Sequence, residues 1–265
     1  MRLALALEYD GQPFCGWQSQ PSRCGVQDAL ERAMGMIAGA TVRATAAGRT
    51  ADGAHATSQI VHVDVESERP LTAWVRGVNA HLPPQVAVRW ARVVEPAFHA
   101  RYSATARHYT YLLLNRAVRP ALLARRVGWY HQLLDIVAMR DAARLLLGTH
   151  DFSAFRAAEC QARSPVKTLW RADVERDQDL VVFRFAADAF LQHMVRNIVG
   201  TLVAVGAGKH TDALVVELLA QKNRSRAAPT FAPHGLYFTG ADYPAAFHLP
   251  ATGAEVDATT IALPT

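Results

Sequence analysis

In Gly48-Arg49-Thr50-Ala51-Asp52-Gly53-Ala54-His55 two glycines bracket a guanidinium, a hydroxyl and an acid, and an imidazole follows. Its single acid, Asp52, lies among small residues that leave a carboxylate accessible to a ligand. Asp52 and His55 are also a pair that a small-molecule enzyme can use. Glycine permits backbone angles closed to other residues, and an apolar strand from Ile60 to Val65 follows directly. The stretch therefore predicts a tight polar loop pinned to a sheet edge. The plain alternative is an ordinary turn before a strand.

Three further groups of residues can carry chemistry. In Tyr109-Thr110-Tyr111 the two phenols project from one face of a strand, either as a platform for a base or as simple packing. In Met194-Val195-Arg196-Asn197-Ile198-Val199-Gly200, Phe190, Met194, Ile198, Leu202 and Val205 form the apolar stripe of a helix and Arg196 falls off it. Gly200 removes a side chain beside Arg196 and so clears space for a partner. Arg196 either pairs with a carboxylate or reaches solvent. In Pro233-His234-Gly235-Leu236-Tyr237, Leu236 either presents an apolar wall or ends the core.

The elements that must position these groups are legible from periodicity. Leu3, Leu5 and Leu7 alternate with Arg2, Ala4, Ala6 and Glu8, as in a half-buried strand. The apolar start of the chain meets Glu8 and Asp10 too soon for a signal peptide. Val26, Leu30, Ala33, Met34 and Ile37 mark a helix. Strands are expected over 42–46, 60–65 and 86–94, with a short helix over 71–79. The second half opens with a strand over 107–114. A basic loop through Arg116, Arg119, Arg125 and Arg126 and a helix over 135–147 follow. An exposed loop over 156–167 leads to strands over 169–176 and 180–187, helices over 189–207 and 212–220, and a closing strand at 234–238.

Strands and helices interleave without strict βαβ alternation. The expected class is therefore α+β, with two similar halves and largely antiparallel pairing. Residues 1–102 form the N-terminal half with the Gly48–His55 loop. Residues 103–250 form the C-terminal half with Tyr109, Arg196 and Leu236, and 251–265 form a loosely held tail.

The chain has 265 residues, a net charge of +5, 51% hydrophobic and 19% charged residues. No apolar run approaches the roughly 18 residues that span a bilayer, so no membrane association is expected. Of its 28 basic residues 25 are Arg and three are Lys, which suits RNA recognition through bidentate phosphate contacts and stacking. A GC-rich genome accounts for the same bias. Cys15, Cys24 and Cys160 show no metal-ligand spacing, and their odd, sparse count predicts a reducing cytoplasm and no disulfide framework.

Taken in order, Glu8-Tyr9-Asp10-Gly11, Gly16-Trp17-Gln18, Gly48-Arg49-Thr50 with His55, Val78-Asn79, Phe98-His99-Ala100-Arg101, Ala104 to Tyr111, Met194 to Gly200 and His234 to Tyr237 resemble the bacterial tRNA pseudouridine synthase A family over about residues 2–244. The resemblance implies the pseudouridine synthase fold, cytoplasmic homodimers, and the tRNA anticodon arm as partner. It implies isomerisation of uridine to pseudouridine at positions 38–40 of the anticodon stem-loop, with no cofactor and no metal. Carried over by position, Tyr109 stacks on the flipped uracil and assists proton removal from C5. Arg196 pairs with the catalytic carboxylate, Arg49 and His55 contact substrate, and Leu236 packs against the base.

One position departs from the family pattern Gly-Arg-Thr-Asp-x-Gly-Val-His. Ala51 stands where the family has its catalytic Asp, and the acid comes one place later as Asp52. In an extended segment that step turns a side chain to the opposite face. Two alternatives to a working synthase follow. One is a catalytically impaired tRNA-binding protein of the same fold, and the other is a small-molecule enzyme using Asp52 and His55.

Overall fold

The first strand, β1 (Arg2–Tyr9), alternates in size rather than polarity. Leu3, Leu5 and Leu7 face one side and Ala4 and Ala6 the other, and all five are fully buried. The expected half-buried strand is thus a central one, flanked on both edges by antiparallel partners. The computed structural model describes residues 1–250, so the expectation of a loose tail falls outside the described residues.

The described chain forms two compact units, 1–107 with 237–250, and 108–236. The consecutive halves expected from the sequence are regrouped because the last strand leaves the second half and joins the first. In the first unit β4 (Val86–Val94), β1, β3 (His55–Asp64) and β10 (Leu236–Asp242) lie in that order. β10 pairs parallel to the start of β3 through Tyr237↔His55 and Phe238↔Ala56. The short β2 (Ala44–Ala46) takes the other end of β3, antiparallel. Helix α1 (Val26–Ala38) begins where the Asp28 carboxylate accepts the Gly25 N–H at 3.0 Å, and stops at Gly39 with φ +71°. A helical segment ends in α2 (Val78–His81), and Asn79 is tied on both amide atoms to Val88 of β4.

In the second unit the order is β5 (Ala106–Asn115), β9 (Leu180–Ala187), β8 (Val166–Asp177) and β7 (Gly148–Asp151), with β6 (Gly128–Tyr130) parallel to β5. The β8–β9 and β7–β8 pairs are antiparallel. The short β6 and β7 carry too little alternation to be seen in sequence. Helices α3 (Ile136–Arg144), α4 (Met194–Gly206) and α5 (Ala213–Gln221) complete it, α3 being capped by Asp135. The fold is α+β with largely antiparallel sheet, as expected.

Two expectations are corrected. Helix α4 starts at Met194 and not near 189. The Asp188 carboxylate takes the N–H of Thr168 at 3.0 Å and of Ala189 at 2.7 Å, which pins a non-helical exit from β9. His193 then enters the helix with φ +62°, so Phe190 is off the helical stripe. The second correction is a disulfide between Cys15 and Cys24, whose Cα atoms lie 5.4 Å apart. Scattered spacing does not show that the loop after β1 folds back on itself. Among the described residues no helix is long and apolar enough to cross a membrane.

Closing this short ring restricts the unfolded chain, by about 2–3 kcal/mol in the loop-entropy account. Reduction with dithiothreitol should lower the denaturation midpoint correspondingly, and Cys24→Ser should remove the sensitivity to reductant.

His62 on β3 supplies a pH response. Its Nδ1 accepts the Ala100 N–H at 3.1 Å, and burial pushes its pKa down from 6.5 to about 4. The fold favours the neutral ring, so this stabilisation is complete above pH 6.5 and is lost as pH falls toward 4. His62→Asn keeps an acceptor that does not titrate. Its stability loss between pH 6.5 and 4, followed by urea unfolding, should be smaller than the parent's by on the order of 2 kcal/mol.

Candidate active site

The Gly48–His55 loop bridges β2 and β3, and two of its carbonyls are bonded from outside the loop. The Gly48 carbonyl accepts the Gln59 side-chain amide at 2.8 Å, and the Thr50 carbonyl accepts the Trp17 N–H at 3.0 Å. The Thr50 hydroxyl meets the Tyr9 hydroxyl at 2.8 Å. Tyr9 is buried, which pushes its pKa up to about 12 against the hydrogen bonds from Thr50 and Gln59. It is therefore a neutral anchor at any working pH. Gly16, at φ +85°, has no Cβ because one would sit 2.7 Å from the Thr50 carbonyl oxygen. Gly11 passes the Ala54 carbonyl with the same lack of room.

The end of the loop is a β-turn. Ala54 N–H donates to the Ala51 carbonyl at 3.1 Å, and Gly53 has φ +70°, as a type II turn demands at its third residue. The expectation of an extended segment at 51–52 is therefore corrected. The step from Ala51 to Asp52 moves a side chain from the shoulder of a turn to its tip. Ala51 is half-buried and Asp52 exposed. Of the loop's chemistry-bearing side chains, Arg49 and Asp52 face solvent.

His55 is 2% exposed. Its ring stacks on Tyr237 at 4.7 Å between centroids, and its Nδ1 accepts the Gly11 N–H at 3.1 Å. A backbone N–H always carries its proton, so this bond makes Nδ1 an acceptor. The Asp10 carboxylate also lies 3.1 Å from Nδ1.

In the second unit the two tyrosines of β5 part company. Tyr111 is fully buried, donates its hydroxyl to the Ala232 carbonyl at 2.7 Å, and meets Phe183 and Phe231 edge-on. The two-ring platform is thus overturned, because one of its rings is core. Tyr109 is 8% exposed and meets Phe190 edge-on at 4.9 Å.

Arg196 is half-buried and donates Nε–H to the Phe231 carbonyl at 2.7 Å, while Phe231 N–H returns to the Arg196 carbonyl at 3.2 Å. Gly200 does clear space, but for the chain's own Pro229 carbonyl. The segment that occupies it is held by Asn197, fully buried, whose Oδ1 accepts from Thr230 at 2.6 Å and from Arg224 at 3.1 Å. Burial pulls the Arg224 pKa down, and its guanidinium donates to the Ala227 and Ala228 carbonyls. Leu236, 6% exposed, opens β10 after Gly235, whose missing Cβ allows Gly128 N to approach.

Sequence reasoning missed Tyr9, Gln59, Asn197 and Arg224. Tyr9 and Asn197 lie inside the ordered motifs and Gln59 and Arg224 in none, but for all four the supporting role comes from bonds to other segments that no local pattern shows. Among the described residues no group of three or more His, Cys, Asp or Glu side chains is placed to hold a metal ion.

A family profile described as tRNA pseudouridine synthase matches residues 5–103 and 142–244. The tRNA pseudouridine synthase A of Thiobacillus denitrificans is 60% identical over 250 residues, covering 94% of this chain and 96% of that protein. The protein of that name from Chromobacterium violaceum is 59% identical over 251 residues, covering 94% and 96%. The one from Burkholderia mallei is 52% identical over 250 residues, covering 94% and 93%. With a matching profile over most of its length and relatives this similar over nearly all of it, the chain belongs to the tRNA pseudouridine synthase family.

Proposed function

We propose that the chain isomerises uridine to pseudouridine in tRNA at positions 38–40 of the anticodon stem-loop, with Asp52 as the acting carboxylate. The observation that carries this reading is the state of the Gly48–His55 loop. The loop is braced by the Tyr9 hydroxyl of β1 on the Thr50 hydroxyl and by Trp17 N–H and Gln59 on its carbonyls, and its exposed functional groups are Arg49 and Asp52. A rigid turn that offers one carboxylate and one guanidinium suits a phosphate-bearing substrate and an acid acting at a sugar.

The reaction balances without a co-reactant. The bond between uracil N1 and ribose C1′ breaks, the base turns, and C5 bonds to C1′. The C5 proton leaves and N1 regains one. The target must first leave its stack, at a cost of a few kcal/mol that protein contacts offset. In this account Arg49 holds the RNA backbone. His55, walled in by Tyr237 and Gly11, holds the loop rather than touching substrate. The roles given by the resemblance to Tyr109 (stacking on the uracil and helping C5 lose its proton), Arg196 (keeping the carboxylate ionised) and Leu236 (packing on the base) belong to the same proposal. So do a homodimer and a cytoplasmic location. The identity to named synthases favours an enzyme over the binding-only alternative.

The parent protein should form pseudouridine in unmodified tRNA at the anticodon arm, mapped by chemical sequencing. Asp52→Asn should reduce that by at least about 10³-fold while tRNA still binds. An inactive parent together with an active Ala51→Asp/Asp52→Ala double variant would instead identify Asp52 as displaced and the natural chain as a binder.

Arg49→Ala should weaken tRNA binding and reduce the slope of log K against log salt by about one, measured by filter binding from 50 to 200 mM salt.

A further inference from the structure

The turn after β4 carries aromatic and cationic groups that the account above leaves unused. Phe98 is buried in the first unit, whereas four residues on Tyr102 is 76% exposed. An exposed tyrosine is by itself unremarkable. This one is held. Its ring stacks on His99 at 4.3 Å between centroids and 30° between planes, and His99 in turn lies 4.6 Å from the buried His62. The rings run from the core outward and end in the exposed phenol ring of Tyr102.

The outer rings are fixed by the turn that bears them. His99 Nδ1 accepts the N–H groups of both Arg101 and Tyr102 at 3.2 Å, which sets the ring's orientation and its Nε2–H tautomer. Ser103 closes the turn with its hydroxyl on the His99 N–H and its own N–H on the His99 carbonyl. Arg2 anchors the approach, donating to the Pro96 and Phe98 carbonyls while it pairs with Asp64 on β3. The Tyr243 hydroxyl donates to the Ala100 carbonyl at 2.6 Å.

Charge accompanies the rings. The Arg101 guanidinium lies 5.7 Å from the Tyr102 ring centre. An exposed cation–π contact of this kind is worth only about 0.5–1 kcal/mol, so an incoming ring can share or replace it. Burial, with the positive charges of Arg2 and Arg101, holds the His99 pKa down, so the ring that Tyr102 rests on is uncharged at neutral pH.

The turn is also coupled to the Gly48–His55 loop. The Arg107 guanidinium donates to the carbonyls of Arg101 and Ala104 and, at 3.5 Å, to that of Ala47, the residue before Gly48. One planar group thus spaces the aromatic turn from the loop that carries Asp52.

We propose that Tyr102, backed by His99 and flanked by Arg101, is a stacking site for an unpaired nucleobase of the RNA other than the uridine that reacts. The inference rests on tRNA being the substrate. Preorganised aromatic faces beside an arginine bind single-stranded bases without reading their identity, because every base has a π-face. The site therefore steadies the loop of the RNA around the target and contributes affinity rather than chemistry.

The test uses the full chain and unmodified tRNA. Tyr102→Ala should raise Kd, by fluorescence anisotropy, and KM on the order of 10- to 100-fold, and Tyr102→Phe should keep the parent's values. Ultraviolet cross-linking of the parent to tRNA, read by mass spectrometry, should place a nucleotide on Tyr102. Parent-like binding by Tyr102→Ala overturns the proposal, as does a cross-link map that lacks Tyr102 while marking other residues. A change in oligomeric mass on light scattering with tRNA affinity intact also overturns it, by making the turn a protein contact. A parent that binds tRNA through Tyr102 but makes no pseudouridine overturns the enzymatic reading and leaves the stacking site standing. If Tyr102→Ala fails to fold, the cross-link on the parent decides.

Discussion

Burying the backbone of a polar loop obliges each of its N–H and C=O groups to find a partner, and the first unit is arranged around that demand at residues 47–54. Thr50 is the pivot. Its hydroxyl reaches Tyr9 at the end of β1, and its carbonyl takes the Trp17 N–H. These bonds require β1, its exit loop and β3 to meet at one place, which is why Gly11 and Gly16 stand where a Cβ would strike the loop. The outcome is a loop whose frame is buried and whose Arg49 and Asp52 are not. Rigid presentation of a few exposed groups is the condition for chemistry that tolerates about 1 Å of error poorly.

The second unit solves a similar problem with a different device. The segment through Thr230 and Phe231 crosses α4 at Gly200 and is tied by Asn197, Arg224 and the Nε of Arg196. Arg196 is thus oriented by a backbone carbonyl before it meets any ligand. The neighbouring Asn197 is fully buried and bonds on both of its amide atoms. Adjacent positions of one helix divide the work between presentation and support.

The departures from expectation share one cause. Alternation showed β1, but not that both its faces are covered, because alanine and leucine are equally at home inside. Tyr109 and Tyr111 obey the strand period, yet Phe183 and Phe231 enclose only the second. Helical periodicity ran through Phe190, but the Asp188 carboxylate stopped the helix short. Cys15 and Cys24 looked unrelated until the loop between them doubled back.

Composition, periodicity and ordered motifs determined the class, the order of the longer elements, the family, and the loop most suited to catalysis. Each of these depends on neighbours in sequence or on residue types alone. Tertiary structure decided that Ala51 and Asp52 share a β-turn with the acid at its tip, that His55 is enclosed by Tyr237, and that β10 belongs with β3. It also decided that His99 and Tyr102 form a stacked, outward-facing pair. Those facts depend on which distant segments compete for the same hydrogen bonds and the same space, and no local pattern records that competition.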